Sequence, residues 1–328
     1  MNNLENIHKF LKGVNFFYEN FSRKNNDAIV VWQEGSTRIL EYTTKFKPNS
    51  LCLFFIPSLI NKSYILDLDE ETSIVRYYAN LGYKVYLVDF IEPKNEELMM
   101  NFVDFKERIA KGLAEVCKQN KVITVGYCLG GLFSCALTKA SNLNIVGQVL
   151  IATPWDFSHF KKLFGLDNPL TLTNFKLMLE TFDRVPAFLI QLFFSFLSPG
   201  KIWNKFCQFS SSKDPKEIDR FLKIEQWIND GISLTKPFAL ECLELINQDL
   251  SSSSDVLGIS LADIKTPTLI VNASEDNIVP IISSSPLYNL TNKEIIVGKT
   301  GHIGLVVSKT ACENILPKID QWLQQVNQ

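Results

Sequence analysis

Three residues far apart in the chain have the types and settings of a covalent acyl-transfer site. Cys128 stands in Gly126-Tyr127-Cys128-Leu129-Gly130-Gly131, a G-x-nucleophile-x-G spacing with cysteine in the nucleophile's place. Such a turn is sharp and strained, so side chains at the flanking positions would collide with the strand before it or the helix after it. The turn holds the sulfur out at a helix N-terminus, where an anion is favoured. The amide of Leu129, next along, points at the oxygen of a bound acyl group, where charge builds during attack. The base is chosen from only three histidines, His8, His159 and His302. His8 precedes the first strand and His159 lies in a helical stretch. His302, in Lys299-Thr300-Gly301-His302-Ile303-Gly304, directly follows the last strand. Asp276, in Ser274-Glu275-Asp276-Asn277-Ile278-Val279-Pro280, follows the strand before that and is the acid; Glu275 beside it fits less well. Each residue alone has a plain structural use as a buried cysteine, a helix-capping carboxylate or a loop histidine. Their joint placement after strands, in the order nucleophile, acid, base, points to a triad.

The elements that position them follow from hydrophobic periodicity. Ala28 to Gln33 and Arg38 to Thr43 are β-prone runs split by Glu34-Gly35-Ser36, a hairpin pattern. Buried-type strands then alternate with helical patterns: strand 51–56, helix 70–81 ended by Gly82, strand 84–90, helix 103–119, strand 122–126, helix 132–140 and strand 146–152. From Pro154 to Leu257 the pattern is helical, aromatic-rich and without convincing strands. The strands resume at 268–272 and 294–297, and a closing helix is expected from about 308 to 326. Continuous apolar strands alternating with amphipathic helices predict an α/β protein with a mostly parallel sheet covered on both faces. With the nucleophile on a strand-to-helix turn, the class is the α/β-hydrolase fold. Residues 1–153 and 258–328 are expected to form the two parts of its core, and 154–257 an inserted helical cap or lid.

Two motifs make the reading more specific. Gly126-Tyr-Cys-Leu-Gly-Gly131 resembles the cysteine lipase-like box of polyhydroxyalkanoate synthases. Pro57-Ser-Leu-Ile-Asn-Lys-Ser-Tyr-Ile-Leu-Asp-Leu68 is close to that family's P-x-x-I-N-K-x-Y-I-L-D-L signature. The resemblance continues through Gly82 to Asp89, Asp276 to Pro280 and Gly301 to Gly304, and so runs from about Ser50 to Val307, with the helical block matching only loosely. It implies an acyltransferase that polymerises (R)-3-hydroxyacyl groups from coenzyme A thioesters and releases coenzyme A. Cys128 would carry the growing chain as a thioester, His302 would take its proton, and Asp276 would orient His302 or help to activate the incoming 3-hydroxyl. The backbone amides of Leu129 and, by position in the 57–68 signature, Ile60 would form the oxyanion hole. A thioester remains reactive toward an alcohol, and its exchange with a coenzyme A thioester is nearly isoenergetic. Water has to be excluded meanwhile, a task suited to an apolar cap with Phe182, Phe188, Phe193, Phe194 and Phe196.

The chain departs from the family pattern in places. Asp89-Phe90-Ile91 replaces the usual Asp-Trp-Gly, and Ser58 and Leu59 stand where the family often has proline and tryptophan. At 328 residues the chain is nearest the short synthases that work with a second subunit, so the partners implied are 3-hydroxyacyl-coenzyme A, the growing polyester, and a second synthase subunit or another copy of the chain. The competing reading is a cysteine α/β-hydrolase, a thioesterase or an esterase of hydroxyalkanoate oligomers, which shares the acyl-enzyme and differs only in accepting water. A granule-associated binding protein with a degenerate site is a third, but it predicts a damaged triad.

Composition narrows the classes further. With 33 basic and 35 acidic side chains, the net charge of −2 gives no electrostatic case for nucleic acid. Seven scattered cysteines with no CxxC pair suggest neither a disulfide framework nor a zinc site, and the simplest setting is a reducing cytoplasm; the resemblance to the synthases implies polymer granules as an associated surface. Three dispersed histidines argue against a catalytic metal, and no GxxxxGK[ST] or GxGxxG motif occurs, so no cofactor is expected beyond the coenzyme A of the substrate. The first residues lack a signal-peptide pattern. The apolar runs Leu51 to Ile60 and Val185 to Leu197 fall short of the ~20 residues a membrane helix needs.

Overall fold

Unbroken runs of β-branched, aliphatic and aromatic residues make the strands of this chain, and the same runs set how deep each strand lies. A computed structural model describes residues 3–20, 28–43, 47, 51–139, 142–195, 199–210, 213–248 and 255–327. The strands are β1 (Ile29–Glu34), β2 (Thr37–Glu41), β3 (Cys52–Ile56), β4 (Lys84–Phe90), β5 (Val122–Tyr127), β6 (Ile145–Ile151), β7 (Arg184–Val185), β8 (Leu234–Thr235), β9 (Thr268–Ala273) and β10 (Lys293–Gly298). Eight form one sheet in the order β1-β2-β4-β3-β5-β6-β9-β10. The β1–β2 hairpin is antiparallel and β2 runs antiparallel to β4, whereas all the remaining neighbours in this sheet are parallel. The chain leaves β3 for β4 on one side and returns to β5 on the other. The crevice at the carboxyl ends of β3 and β5 is thus a topological switch point, where open α/β sheets bind ligands.

The helices are α1 (Asn3–Asn20), α2 (Ile74–Leu81), α3 (Phe102–Cys117), α4 (Gly130–Leu137), α5 (Ser158–Leu163), α6 (Pro169–Glu180), α7 (Ala187–Ser195), α8 (Pro199–Phe209), α9 (Pro215–Asn229), α10 (Lys236–Asn247), α11 (Ile281–Ser284), α12 (Gly304–Val307) and α13 (Leu316–Asn327). Alternation along β3 divides the core between two faces. Phe54 and Ile56 belong to the apolar layer of Phe105 and Ile109 from α3 and Phe133 from α4. Leu53 and Phe55 belong to the opposite layer, with Ile74 and Tyr78 from α2 and Ile319 and Trp322 from α13. None of the described helices is long and apolar enough to cross a membrane.

Most element bounds agree with the periodicity, and three differ for physical reasons. The helix expected from 70 begins at Ile74, because the Asp69 carboxylate accepts from the Glu71 and Thr72 amides at 3.0 and 2.9 Å and holds a turn. Ser73 then caps the helix by accepting from the Arg76 amide at 3.1 Å. The closing helix starts at Leu316, preceded by a π-helical turn at Ala311–Ile315. Between β6 and β9 the chain is helical from α5 to α10, yet it also holds a two-residue antiparallel ladder of β7 with β8, too short to carry a periodicity signal. Phe196 and Ser251 to Ser254 lie outside the described residues, as do the side chains of Phe193 and Phe194.

Candidate active site

Cys128 sits between β5 and α4 with φ of 54°, a left-handed conformation that a side chain adopts only when its surroundings force it. Its amide is held by the Ile151 carbonyl at 2.8 Å and its carbonyl by the Gly131 amide at 2.9 Å. The three glycines are required by space. A Cβ on Gly126 would lie 2.4 Å from Cα of Gly131, one on Gly130 would lie 2.0 Å from the Ile56 carbonyl oxygen, and one on Gly131 would meet Thr153 Oγ1 at 1.9 Å. The strand and helix therefore touch backbone to backbone, which fixes the sulfur above the carboxyl ends of β3 and β5.

The other two sequence-predicted side chains meet beside it. His302 Nδ1 and Asp276 Oδ2 are 2.7 Å apart, and both residues are buried. The second carboxylate oxygen, Asp276 Oδ1, accepts from the amides of Ile278 and Val279, each at 2.8 Å. These bonds leave Oδ2 free to hold the imidazole by its Nδ1 edge. Glu275 is exposed, His8 is exposed and His159 lies on α5 against Phe160, so none of the three stands in for Asp276 or His302. Burial alone would lower the His302 pKa. The negative charge of Cys128, the hydrogen bond and charge of Asp276, and a hydrogen bond with the Cys128 side chain outweigh it and push the value up to about 10. The arrangement can hold an imidazolium against a thiolate, a nucleophile paired with its own proton carrier.

Ile60 and Leu129 border the same cavity as Cys128. Leu129 precedes α4, so its amide belongs to the turn that presents the sulfur. The Ile60 amide is bonded only loosely to Ser58 Oγ, at 3.4 Å. The loop of Ile60 is pinned from two directions. Ser63 Oγ donates to Asp89 Oδ1 at 2.6 Å, while Arg38 from the hairpin binds the other oxygen of Asp89. From the helical block, Trp227 Nε1 donates to the Lys62 carbonyl at 2.7 Å and the Ile232 amide to the Ile60 carbonyl at 3.0 Å.

Sequence reasoning missed several supports. Tyr127 packs its ring 5.1 Å from that of His302 and is fully buried; its place as the variable residue of the turn motif gave no hint of this. Trp227 lies on α9, in the stretch read only as helical and aromatic-rich. Among the described residues no three His, Cys, Asp or Glu side chains converge as a metal site.

Comparison with known proteins bears on the family and the fold. A family model described as the alpha/beta hydrolase fold matches residues 55–308, and one for the N-terminus of poly-beta-hydroxybutyrate polymerase (PhaC) matches residues 23–78. The chain is 25% identical to the poly(3-hydroxyalkanoate) polymerase subunit PhaC of Haloarcula marismortui, over 90% of this chain and 67% of that one. It is 25% identical to the subunit of the same name from Synechocystis, over 98% and 93%, and 27% identical to that of Allochromatium vinosum, over 83% and 80%. Eight relatives so named fall between 24% and 28% identity. The chain spans 67% and 63% of the length of its two haloarchaeal relatives. The resemblance read from residues 57–68 and 126–131 is thereby borne out. Among solved structures, a carboxylesterase of Nitrososphaera gargenis aligns with TM-score 0.57 at 10% identity, over 90% of this chain and 99% of that one. A thioesterase domain from the curacin biosynthetic pathway aligns with TM-score 0.54 at 12% identity, over 91% and 100%. At such identities the likeness is one of fold.

Proposed function

Because the chain belongs to the alpha/beta hydrolase fold family, we propose that it acts as an acyltransferase through a Cys128–His302–Asp276 triad, building polyhydroxyalkanoate from (R)-3-hydroxyacyl-coenzyme A. The observation that carries this reading is the buried 2.7 Å contact of His302 with Asp276 beside a cysteine held at positive φ, in a chain similar over most of its length to polyhydroxyalkanoate polymerase subunits.

The chemistry runs as two exchanges. The Cys128 thiolate attacks the thioester carbonyl, and the oxygen that becomes negative is met by the amides of Leu129 and Ile60. The bond to coenzyme A sulfur breaks, and that sulfur leaves with the proton carried by His302. Neutral His302 then takes the proton of the next 3-hydroxyl as its oxygen attacks the Cys128 thioester, and Cys128 leaves as thiolate. The charge pair is restored and one ester bond has formed. Asp276 holds the ring throughout and offsets its positive charge. Coenzyme A enters as part of the substrate, and no other cofactor takes part. A second subunit or a second copy of the chain would act on this cycle from outside the triad. Water in place of the hydroxyl would make the same site a thioesterase.

The test is intact mass after brief exposure to 3-hydroxybutyryl-coenzyme A, followed by analysis of products. A hydroxyacyl adduct on the wild type that is absent from Cys128→Ala, together with polymer, is the expected result. An adduct persisting in Cys128→Ala overturns the nucleophile. Free hydroxyacid as the sole product, with and without added synthase partner subunit, overturns the polymerase reading in favour of hydrolysis.

A further inference from the structure

The cavity that begins at Cys128 runs away from the triad between α5, α6, α7 and α10, with a volume of about 590 Å³. Its walls include Phe157, Phe160, Phe175, Leu189, Ala239 and Leu243, and among the described lining residues no side chain carries a nitrogen or an oxygen. The helices around it spend their backbone groups in their own ladders. Ile278 and Val279, beside Asp276, close the triad end, and half-exposed Leu192 marks where the cavity meets the surface.

This lining discriminates between the two apolar-rich things that a thioester on Cys128 could send into it. A polyester strand bears an ester in every repeat, and each carbonyl oxygen would lose its water without gaining a donor. An alkyl tail loses nothing on entering and gains the transfer free energy of every methylene. We infer that the cavity is an acyl-tail site: it takes the alkyl side chain of a medium-chain 3-hydroxyacyl group, while the polyester backbone leaves by another route. This rests on the acyl-enzyme reading above.

Size agrees with a tail well beyond the methyl of a hydroxybutyryl group. Taking about 30 Å³ for each small group, as for a water in the liquid, the 590 Å³ holds on the order of twenty non-hydrogen atoms at most. A hydroxybutyryl group would leave most of that space unused. Ala239, a buried small residue in the wall, is where added bulk would shorten the cavity.

The experiment is a series of single-turnover acylations of Cys128 followed by intact mass, using (R)-3-hydroxybutyryl-, hydroxyhexanoyl-, hydroxyoctanoyl- and hydroxydecanoyl-coenzyme A. While the tail still fits, kcat/KM for acylation is expected to rise about fourfold per added methylene. In Ala239→Phe the ratio of the decanoyl to the butyryl rate should fall at least tenfold. Adducts that form at equal or falling rates along the wild-type series overturn the tail site and leave the acyl-enzyme intact. An unchanged ratio in a folded Ala239→Phe variant overturns the location of the site. If no member of the series gives an adduct, the acyl-enzyme reading fails and the tail site falls with it.

Discussion

Trp227 of α9 donates its indole N–H to the carbonyl of Lys62 at 2.7 Å, so a helix from the block between β6 and β9 holds the loop that carries Ile60. Asn61 Nδ2 returns a bond to the Trp227 carbonyl at 3.4 Å, and the Ile232 amide binds the Ile60 carbonyl at 3.0 Å. The Lys62 and Ile60 carbonyls belong to the Lys62–Ser63 and Ile60–Asn61 peptides, so these bonds hold the loop just after the Ile60 N–H. Trp227 is therefore a positioning residue that acts on the Ile60 N–H through that loop. Trp227→Phe keeps most of the ring packing and removes the donor. Acylation kcat should drop about tenfold to a hundredfold, less than the loss of an oxyanion donor outright, with KM changed by no more than about twofold. Equal loss in kcat and in thermal stability would make Trp227 merely structural, and an unchanged kcat would remove its role.

His302→Gln should slow acylation of Cys128 by about 10² to 10⁴, since glutamine can fill the space but cannot carry the proton. His8→Gln and His159→Gln should each acylate within about twofold of wild type, because neither residue belongs to the buried cluster around Asp276. Acyl-adduct formation in a stopped-flow or quench series reads all three. A His302 variant of near-normal rate would end the triad assignment.

The raised His302 pKa makes a statement about stability. Its ordinary value is 6.5 and its folded value about 10, so the folded state binds this proton more tightly than the unfolded chain does. The resulting stabilisation is fully present below pH 6.5, declines as pH rises, and is gone above about 10. Unfolding free energies of wild type and His302→Gln should converge accordingly over that window when measured by denaturant titration. Cys128→Ala should lower the folded His302 pKa, since the charge of Cys128 is the largest influence that raises it. Imidazole proton shifts followed against pH would show this, and a His302 titration indifferent to Cys128→Ala would mean the two side chains do not share a proton.

Much of this site could be read from the chain because its requirements are local. The Gly126, Gly130 and Gly131 spacing answers to collisions within a few residues, and Asp276 and His302 follow strands whose apolar runs are unmistakable. The hairpin of β1 and β2, the fully buried β3 and β5, and the Gly82 stop of α2 at φ of 95° were legible for the same reason. What escaped depends on contacts between distant segments. Tyr127 against His302, Arg38 with Asp89, and Trp227 with Lys62 join residues with no shared periodicity. The Asp69 turn that delays α2 escaped differently: it is local, but its carboxylate competes with a helix pattern that hydrophobic spacing alone favours.

Gly130→Ala tests the backbone contact beneath the sulfur. Its added Cβ would come within 2.0 Å of the Ile56 carbonyl oxygen and 2.6 Å of that of Pro57, neither of which can rotate away. Overpacking of this kind costs about 1–3 kcal/mol or more. The displaced strand end also carries the chain into Pro57 and Ile60, so acylation should fall even in the fraction that folds. Denaturant midpoints together with the acylation rate of folded protein check both. A variant of wild-type stability and rate would show that β3 and α4 do not meet as closely as described.

The helical block between β6 and β9 should divide in its dynamics rather than open as a whole. α9 is fastened to the core by Trp227 on Lys62 and by Arg220 on the Val307 carbonyl. α10 is fastened by Glu241, which accepts from the Phe102 amide at 2.8 Å, and by Phe238, packed against Phe105 and Phe133. By contrast α6 and α7 present Leu170, Leu177, Phe188 and Leu192 to solvent, each at least half exposed, while their other faces line the apolar cavity, and α7 is tied to α9 by Gln191 Nε2, which donates to the Ile228 carbonyl at 2.9 Å. Unfilled space beneath a helix removes the contacts that would resist its local opening. Hydrogen exchange should therefore be fastest in α6 and α7, slower in α9 and α10, and slowest in β5. Stable acylation of Cys128 should slow α6 and α7 most and leave α9 nearly unchanged, because α9 does not line the cavity, while α10 lines it through Ala239 and Leu243 but is already held by Glu241 and Phe238. If instead α6 and α7 are as protected as β5 in the free protein, the block is rigid and access to Cys128 needs no opening. If α9 exchanges as fast as α6, the anchors on Lys62 and Val307 do not hold, and the Ile60 loop moves with the block.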